Sequence, residues 1–140
     1  MAPRTVADIM TTKVVTLDEE DNLQGVAKAM DDFKIRHVPV VDGKKLVGLI
    51  SQRDVLRLAV SSLTKSTALE DLQKHLESDS FVADVMTRDP ITVSPATAIP
   101  DLIRLLLQHR VGAFPVVDGN GELVGIVSEI DVLAAAEKMF

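Results

Sequence analysis

The chain has 140 residues, of which 46% are apolar and 26% charged, and its formal net charge is −6. This length fits one domain or two small units that share a core, and the apolar content excludes wholesale disorder. Because a negative chain repels polyanions and aromatic residues are few, we expect no nucleic-acid partner. There is no cysteine, which excludes disulfide frameworks and thiolate metal sites.

The apolar segments of the sequence bear on its location. None is long enough to span a bilayer, and the N-terminal residues do not resemble a secretory signal. We therefore expect a cytoplasmic protein that does not insert into a membrane.

Two segments of the chain occur twice, in the same order. The residues VADIMTTKVVTL from Val6 recur as VADVMTRDPITV from Val82. Further along, VPVVDGKKLVGLISQRDVL from Val38 recurs as FPVVDGNGELVGIVSEIDVL from Phe114. Two long matches at nearly constant spacing indicate an internal duplication.

Each repeat is predicted to begin with a strand, over Val14–Leu17 in the first and Ile91–Val93 in the second. A helix follows the strand. In the second repeat we expect Ser94 as its N-cap and Pro95 as its first residue. In the first repeat the acidic run from Asp18 suits the positive end of a helix.

A β-hairpin and a second helix complete each repeat. PVVD and LVGLIS flank one glycine-containing turn, and PVVD and LVGIVS flank the other, which is typical of hairpins. The closing helices are predicted to begin near Ser51 and Ser128. The order strand, helix, strand, strand, helix therefore occurs twice.

This order predicts an α+β fold. Because a repeat of about sixty residues buries little surface alone, we expect two β-α-β-β-α repeats, related by a pseudo-twofold axis and packed sheet on sheet. The first repeat is expected over residues 1–60 and the second over 81–140. Residues 61–80 form a predicted connector with one amphipathic helix, whose apolar positions are Leu69, Leu72 and Leu76.

The repeated motifs resemble the paired cystathionine-β-synthase-type domains, or CBS domains, whose tandem pair is called a Bateman module. The matching motifs are VADIMT and VADVMT, VPVVD and FPVVD, and GLISQRD and GIVSEID. The resemblance implies clefts where two sheets meet, which bind AMP, ADP, ATP or S-adenosylmethionine, and it implies a homodimer. No second domain is fused to the repeats, so we expect the regulated protein to be a separate partner and no cofactor to be required.

Two interpretations fit the S-x-x-D motif, which is Ser51 to Asp54 in the first repeat and Ser128 to Asp131 in the second. It is the spacing of a helix capping box, in which the two side chains satisfy each other's backbone N–H groups. It could also place Asp on ribose hydroxyls and Ser with the helix N-terminus toward phosphate. The two interpretations are geometrically compatible.

The resemblance assigns further ligand contacts to each repeat. Thr16 and Thr92 would lie near the base or ribose, although a β-branched residue also suits an ordinary strand. The strand with the proline would line the adenine pocket with its backbone, and we expect that proline at an edge or a strand start. The expected contacts are Thr16, His37, Val38, Pro39, Ser51, Arg53 and Asp54 in the first repeat, and Thr92, Ala113, Phe114, Pro115, Ser128 and Asp131 in the second.

The two repeats differ at the motif's middle positions. Arg53 of the first repeat corresponds to Ile130 of the second, and Gln52 corresponds to Glu129. Arginine can clamp a phosphate with two hydrogen bonds, whereas isoleucine cannot and glutamate opposes it. We therefore expect the first repeat to provide the site for a charged nucleotide, unless Arg53 is only a solvated helix residue.

Motifs for catalysis and metal binding are missing from the sequence. The three histidines lack metal-ligand spacing, and there is no Walker-type loop, G-x-S-x-G or H-E-x-x-H. We expect no catalytic residue, no metal site and no enzymatic activity. The main alternative to a ligand sensor is a ligand-free scaffold that dimerises or binds other proteins through its exposed helices.

Overall fold

A computed structural model describes residues 2–65 and 81–140, without the side chains of 59–65. The predicted connector helix lies outside the described residues. Within the described ranges, no helix combines the length and apolar character needed to cross a membrane. In chain order the elements are a 3-10 helix (Val6–Asp8), β1 (Leu17–Asp18), α1 (Leu23–Phe33), β2 (His37–Asp42), β3 (Lys45–Ser51), α2 (Gln52–Lys65), α3 (Val82–Val85), β4 (Thr87–Arg88), α4 (Ile99–His109), β5 (Ala113–Val117), β6 (Leu123–Ser128) and α5 (Glu129–Glu137).

The predicted α+β fold with two repeats is confirmed. The chain forms two compact units that are not the same sets of residues as the sequence repeats. Unit 1 contains Met1–Val14, Lys44–Leu46 and Pro90–Phe140, and unit 2 contains Val15–Gly43 and Val47–Asp89. The segment V-A-D-h-M-T (h for an apolar residue) that opens each repeat thus belongs to the unit built around the other repeat's first helix.

Unit 2 is organised around a four-stranded sheet in the order β1-β2-β3-β4. β1 is parallel to β2, with Leu17 opposite Val40, and β4 is antiparallel to β3, with Gly48 opposite Arg88. The amphipathic helix α1 packs its apolar stripe on this sheet. The buried core consists of Leu23, Val26, Met30, Val38, Val40, Ile50, Val82 and Met86.

Unit 1 repeats this plan with less regular pairing. β5 and β6 form an antiparallel ladder, and single bridges join Val93 to Val116 in parallel and Thr11 to Ile126 in antiparallel orientation. The two bridges occupy the places of β1 and β4. The buried core consists of Val6, Val93, Leu102, Phe114, Val116 and Val127.

The first strand of each repeat is shorter than predicted. Val93 alone pairs with β5, through bonds from its N–H to the Pro115 carbonyl (3.1 Å) and from the Val117 N–H to its own carbonyl (3.0 Å). Because Pro115 has no N–H, this parallel ladder cannot continue toward Ile91. The predicted strand Ile91–Val93 is therefore wrong beyond its last residue.

Proline explains the same difference in unit 2. β1 covers Leu17–Asp18 rather than Val14–Leu17, and its pairing begins at Val40, directly after Pro39. Pro39 was expected at an edge or a strand start, but it is the third residue of β2, which has neighbours on both sides. A proline fits there because the ladder with β1 has not yet begun.

The first helix of the second repeat begins later than predicted. α4 starts at Ile99 with Ala98 as its N-cap, so Ser94 and Pro95 are not its cap and first residue. Ser94 and Thr97 close a turn instead. The Thr97 N–H donates to the Ser94 carbonyl (3.1 Å), and the Ser94 N–H donates to Thr97 Oγ1 (3.0 Å). A serine next to a proline suits such a turn as well as it suits a cap.

The acidic run before α1 also folds as a turn. The Asp18 N–H donates to an Asp21 carboxylate oxygen (2.8 Å), and the Glu20 N–H donates to Asp18 Oδ1 (2.9 Å). Asn22 then caps α1 by accepting a bond from the Gly25 N–H (2.9 Å). The prediction that the acidic residues occupy the start of the helix is therefore wrong, since α1 has no acidic residue in its first turn.

The aspartate of each V-A-D-h-M-T segment closes its own short helix. Asp8 accepts bonds from the N–H groups of Arg4 (2.8 Å) and Thr5 (3.0 Å), and Asp84 accepts one from Phe81 (3.1 Å). The backbone bond from Arg4, followed by that from Thr5, lowers the pKa of Asp8 below its ordinary value.

The methionine and threonine of each segment cross a glycine in the hairpin. A Cβ at Gly48 would lie 3.1 Å from the Thr87 carbonyl oxygen, and its nearest neighbour would be Met86 Sδ. A Cβ at Gly125 would lie 2.9 Å from the Thr11 carbonyl oxygen. Only glycine leaves room for the segment to approach so closely.

Candidate functional site

The predicted site residues of unit 2 come from one edge of its sheet. Thr16 directly precedes β1, His37 begins β2, and Ser51 ends β3. β1 and β2 are parallel, and β2 and β3 form an antiparallel hairpin. The beginnings of β1 and β2 therefore lie at the same edge as the end of β3. Asp54 follows in the first turn of α2.

The predicted site residues of unit 1 form the same arrangement. Thr92 precedes the Val93 bridge, Ala113 begins β5 and Ser128 ends β6. Ala113 lies directly opposite Ser128 in the ladder. Asp131 is in the first turn of α5. Each unit therefore brings its own predicted residues to one sheet edge.

A backbone bond joins the closing helix of each unit to the residue before the central strand. The Gln52 N–H donates to the Arg36 carbonyl (2.8 Å), and the Glu129 N–H donates to the Gly112 carbonyl (2.9 Å). This bond fixes the first turn of the helix at the sheet edge, next to the residues of the S-x-x-D motif.

The S-x-x-D motif of unit 2 forms a closed set of hydrogen bonds. Asp54 Oδ2 accepts bonds from the Ser51 N–H (2.8 Å) and from the Ser51 hydroxyl (2.9 Å). The Asp54 N–H in turn donates to Ser51 Oγ (3.2 Å). This is a capping box, so the local interpretation of the motif is confirmed. Among the described residues no hydrogen bond reaches the second oxygen, Oδ1.

The motif of unit 1 has nearly the same geometry. Asp131 Oδ2 accepts bonds from the Ser128 N–H (2.8 Å) and hydroxyl (3.1 Å), and the Asp131 N–H donates to Ser128 Oγ (3.3 Å). Both aspartates are half-buried. Each unit therefore holds one carboxylate with one oxygen engaged and the other open to a donor.

The strand that carries the proline offers its backbone to a ligand rather than its side chains. Val38 and Phe114 are buried core residues, 0% and 1% exposed. Pro39, Ala113 and Pro115 are also buried. A ligand at this edge would therefore meet the polar backbone groups of the strand, together with Thr16 in unit 2 or the half-buried Thr92 in unit 1.

The two edges differ in charge. Arg53 is exposed in the first turn of α2 and forms no ion pair with a described residue. At the matching position of α5, Ile130 is 66% exposed, and the exposed Glu129 precedes it. Lys34 also belongs to unit 2, but it pairs with Asp31 (3.6 Å).

The sequence did not indicate two open surface grooves. One, of about 380 Å³ in unit 2, lies between the end of α1 and the start of α2. The other, of about 940 Å³ in unit 1, lies between residues 2–9 and the end of α5. Neither is lined by a predicted site residue. In the described part of the chain, no cluster of His, Asp or Glu is suited to a metal ion.

The chain is similar to proteins of one family. The CBS domain model matches residues 6–61 and 82–138. Among solved structures, CBSX2 in complex with AMP is 29% identical, with a TM-score of 0.81, and the match covers 98% of both chains. The CBS domain pair of MJ0100, in complex with 5-methylthioadenosine and S-adenosyl-L-methionine, is 25% identical with a TM-score of 0.72, covering 93% of this chain and 97% of that one.

Curated relatives include much longer proteins. Inosine-5'-monophosphate dehydrogenase of Korarchaeum cryptofilum is 32% identical over 85% of this chain, but the match is only 21% of that enzyme. The chain spans between 21% and 38% of the length of the first three curated relatives it matches.

Proposed function

Because this chain belongs to the CBS domain family, we propose that it binds an adenosine-containing ligand at the sheet edge of unit 2. The observation that carries this proposal is the carboxylate of Asp54, whose Oδ2 is held by Ser51 while Oδ1 remains open. A ribose offers two adjacent hydroxyl donors to such an oxygen. The complex of the similar CBSX2 with AMP supports this ligand class.

Each part of the ligand has a complementary group in unit 2. The ribose would lie on Asp54, and adenine on the backbone near Val38 and Pro39. A phosphate would lie toward Arg53 and the N-terminus of α2, where the helix dipole favours negative charge. AMP, ADP, ATP and S-adenosylmethionine all contain the adenosyl group that this arrangement would recognise.

We propose that the site of unit 1 prefers a less charged adenosyl ligand. Asp131 could hold a ribose in the same way as Asp54, because the capping geometry is the same. Glu129 and Ile130, however, provide no cation for a phosphate. The 5-methylthioadenosine and S-adenosyl-L-methionine bound to MJ0100 are adenosyl ligands without phosphate.

Thermal unfolding in the presence of AMP, ADP, ATP, S-adenosylmethionine and NAD tests the proposal. A ligand at a hundred times its Kd should stabilise the folded protein by about 2.7 kcal/mol. Guanosine monophosphate is the control for a nucleotide with the wrong base. Absence of any stabilisation by all the adenosyl compounds would contradict adenosine binding.

We further propose that the bound ligand regulates a separate cytoplasmic partner, and that the chain itself catalyses no reaction. The ligand would change the affinity for the partner, and by linkage the partner would change the affinity for the ligand by the same factor. The long enzymes among the curated relatives match this chain over only part of their length. Their activities therefore give no reason to expect catalysis here.

A scaffold that forms homodimers is the second candidate, and the surface of α4 and α5 favours it. Leu107 on α4 is 73% exposed and Leu133 on α5 is 63% exposed. At the position matching Leu107, α1 of unit 2 has the charged Asp31. Large exposed apolar side chains on one helical face are typical of an interaction surface.

We expect Leu107→Glu to dissociate the homodimer by placing a carboxylate in an apolar contact. Sedimentation velocity at several concentrations measures the change as a shift from dimer to monomer. Asp31→Ser, at the matching position of α1, is the control and should leave the dimer intact. A wild-type monomer at all concentrations, or an unchanged dimer in Leu107→Glu, would rule out this interface.

A further inference from the structure

We infer that Ser51 is a positioning residue for Asp54 and does not bind the phosphate of a nucleotide. This inference rests on the proposed adenosine site of unit 2. It concerns which group of the ligand senses the serine: the ribose, through Asp54, or the phosphate, by direct contact.

The hydrogen bonds of Ser51 leave its hydroxyl without a donor for an anion. A serine hydroxyl carries one proton. That proton lies on the bond from Ser51 Oγ to Asp54 Oδ2, over 2.9 Å, while Oγ accepts a bond from the Asp54 N–H at 3.2 Å. A phosphate oxygen accepts hydrogen bonds and would have to displace Asp54 from the hydroxyl.

Charge opposes that displacement. A phosphate bound to Ser51 Oγ would lie close to the Asp54 carboxylate, which is 2.9 Å from the same hydroxyl. Two negative groups at such a distance repel each other, and the half-buried position of Asp54 weakens solvent screening. Arg53 and backbone N–H groups of α2 are better partners for the phosphate.

The same bonds give Asp54 a fixed orientation. Two donors of Ser51, its N–H and its hydroxyl, hold Oδ2 at 2.8 and 2.9 Å. The carboxylate therefore cannot rotate freely, and Oδ1 keeps its lone pairs for a ligand. A vicinal diol, such as the 2′- and 3′-hydroxyls of ribose, is the group that two open acceptor sites on one oxygen fit. Preorganisation of this kind raises affinity by reducing the ordering cost of binding.

Unit 1 shows that this geometry does not depend on the neighbouring side chains. Ser128 holds Asp131 with the same three bonds, at 2.8, 3.1 and 3.3 Å. The two residues between them are Glu129 and Ile130 instead of Gln52 and Arg53. The serine–aspartate pair is therefore the common element, and the intervening residues can vary with the ligand.

Binding of AMP, adenosine and 2′-deoxy-AMP to the wild-type protein and to Ser51→Ala tests the inference by calorimetry. We expect Ser51→Ala to weaken AMP and adenosine by the same factor, about tenfold for the loss of one oriented charged acceptor. It should weaken 2′-deoxy-AMP much less, because that nucleotide lacks one of the two hydroxyls. A loss confined to the two phosphorylated ligands, with adenosine unaffected, would overturn the positioning role.

Three variants keep the test interpretable. Ser51→Thr retains the hydroxyl and should restore wild-type affinity. Ser51→Gly removes the hydroxyl but is a better helix N-cap than alanine, so it should reproduce the Ser51→Ala pattern in a folded protein. Ser128→Ala makes the matched change in unit 1 and should leave AMP binding at unit 2 unchanged. If the wild-type protein binds neither AMP nor adenosine, the proposed function fails together with this inference, whereas a phosphate-specific loss contradicts the inference alone.

Discussion

Asp54→Ala is expected to remove most of the stabilisation that AMP confers on the folded protein. The change deletes the carboxylate that would accept the ribose hydroxyls. Hydrogen bonds to a charged group contribute roughly 1.5–3 kcal/mol, so the Kd should rise about tenfold to a hundredfold. At a ligand concentration of a hundred times the wild-type Kd, the stabilisation should fall from about 2.7 to about 0.4–1.4 kcal/mol.

Asp131→Ala is the matched control for this prediction. It removes the same capping interaction from the other unit, since Ser128 holds Asp131 as Ser51 holds Asp54. Both variants should therefore lose intrinsic stability, and the informative quantity is the ligand-dependent shift in Tm. We expect Asp131→Ala to retain most of the shift with AMP. Equal losses in the two variants would show that the charge difference between Arg53 and Ile130 does not select the site.

Gly48→Ala and Gly125→Ala are each expected to lower the free energy of unfolding by about 1–3 kcal/mol. The added methyl group would lie 3.1 Å from the Thr87 carbonyl oxygen in the first case and 2.9 Å from that of Thr11 in the second. Neither contact can be relieved by rotating a side chain, because both neighbours are backbone atoms. Urea denaturation measures the change.

Gly119→Ala provides the control for this effect. Nothing lies within 4 Å of a Cβ at Gly119, and its backbone is outside the left-handed region. It should change the free energy of unfolding by no more than about 0.5 kcal/mol. If Gly48→Ala and Gly125→Ala were equally mild, the close approach of the M-T segments to the hairpins would be wrong.

The hairpins and closing helices were predictable because their signals are local. PVVD and LVG runs on either side of a glycine specify a hairpin, and a serine three residues before an aspartate specifies a capping box. β2, β3, β5 and β6 are all present, and α5 begins directly after Ser128.

The first strands and the start of α4 were mispredicted because they depend on partners distant in the chain. Whether Ile91 joins a ladder is decided by Pro115, which lacks the required N–H. Ser94 has the residue type of a helix cap, but Thr97 offers it a turn instead. Local propensity does not distinguish these outcomes.

The exchange of the V-A-D-h-M-T segments between units was also outside the reach of the sequence. Val6 is buried with Leu102 and Phe114 in unit 1, and Val82 is buried with Leu23 in unit 2. Because the two segments are nearly identical in sequence, nothing in them indicates which core each completes. β4 was missed for the same reason, since it forms only where the segment crosses Gly48.

The candidate site was predictable in its members but not in its hydrogen bonds. The repeat and the family resemblance supply Ser51, Asp54 and the strand with Pro39, and the sheet topology brings them to one edge. The direction of the Ser51 hydroxyl proton follows only from the bond distances. Contact of these residues with a ligand stays a prediction.

Amide chemical shifts during a titration with AMP test the central claim most directly, because they report where the ligand binds. The account predicts the largest saturable changes at the sheet edge of unit 2, at Thr16, His37, Val38 and Ser51 to Asp54, with smaller changes at Ser128 to Asp131. Absence of saturable changes, or changes confined to the groove between residues 2–9 and the end of α5, would contradict it.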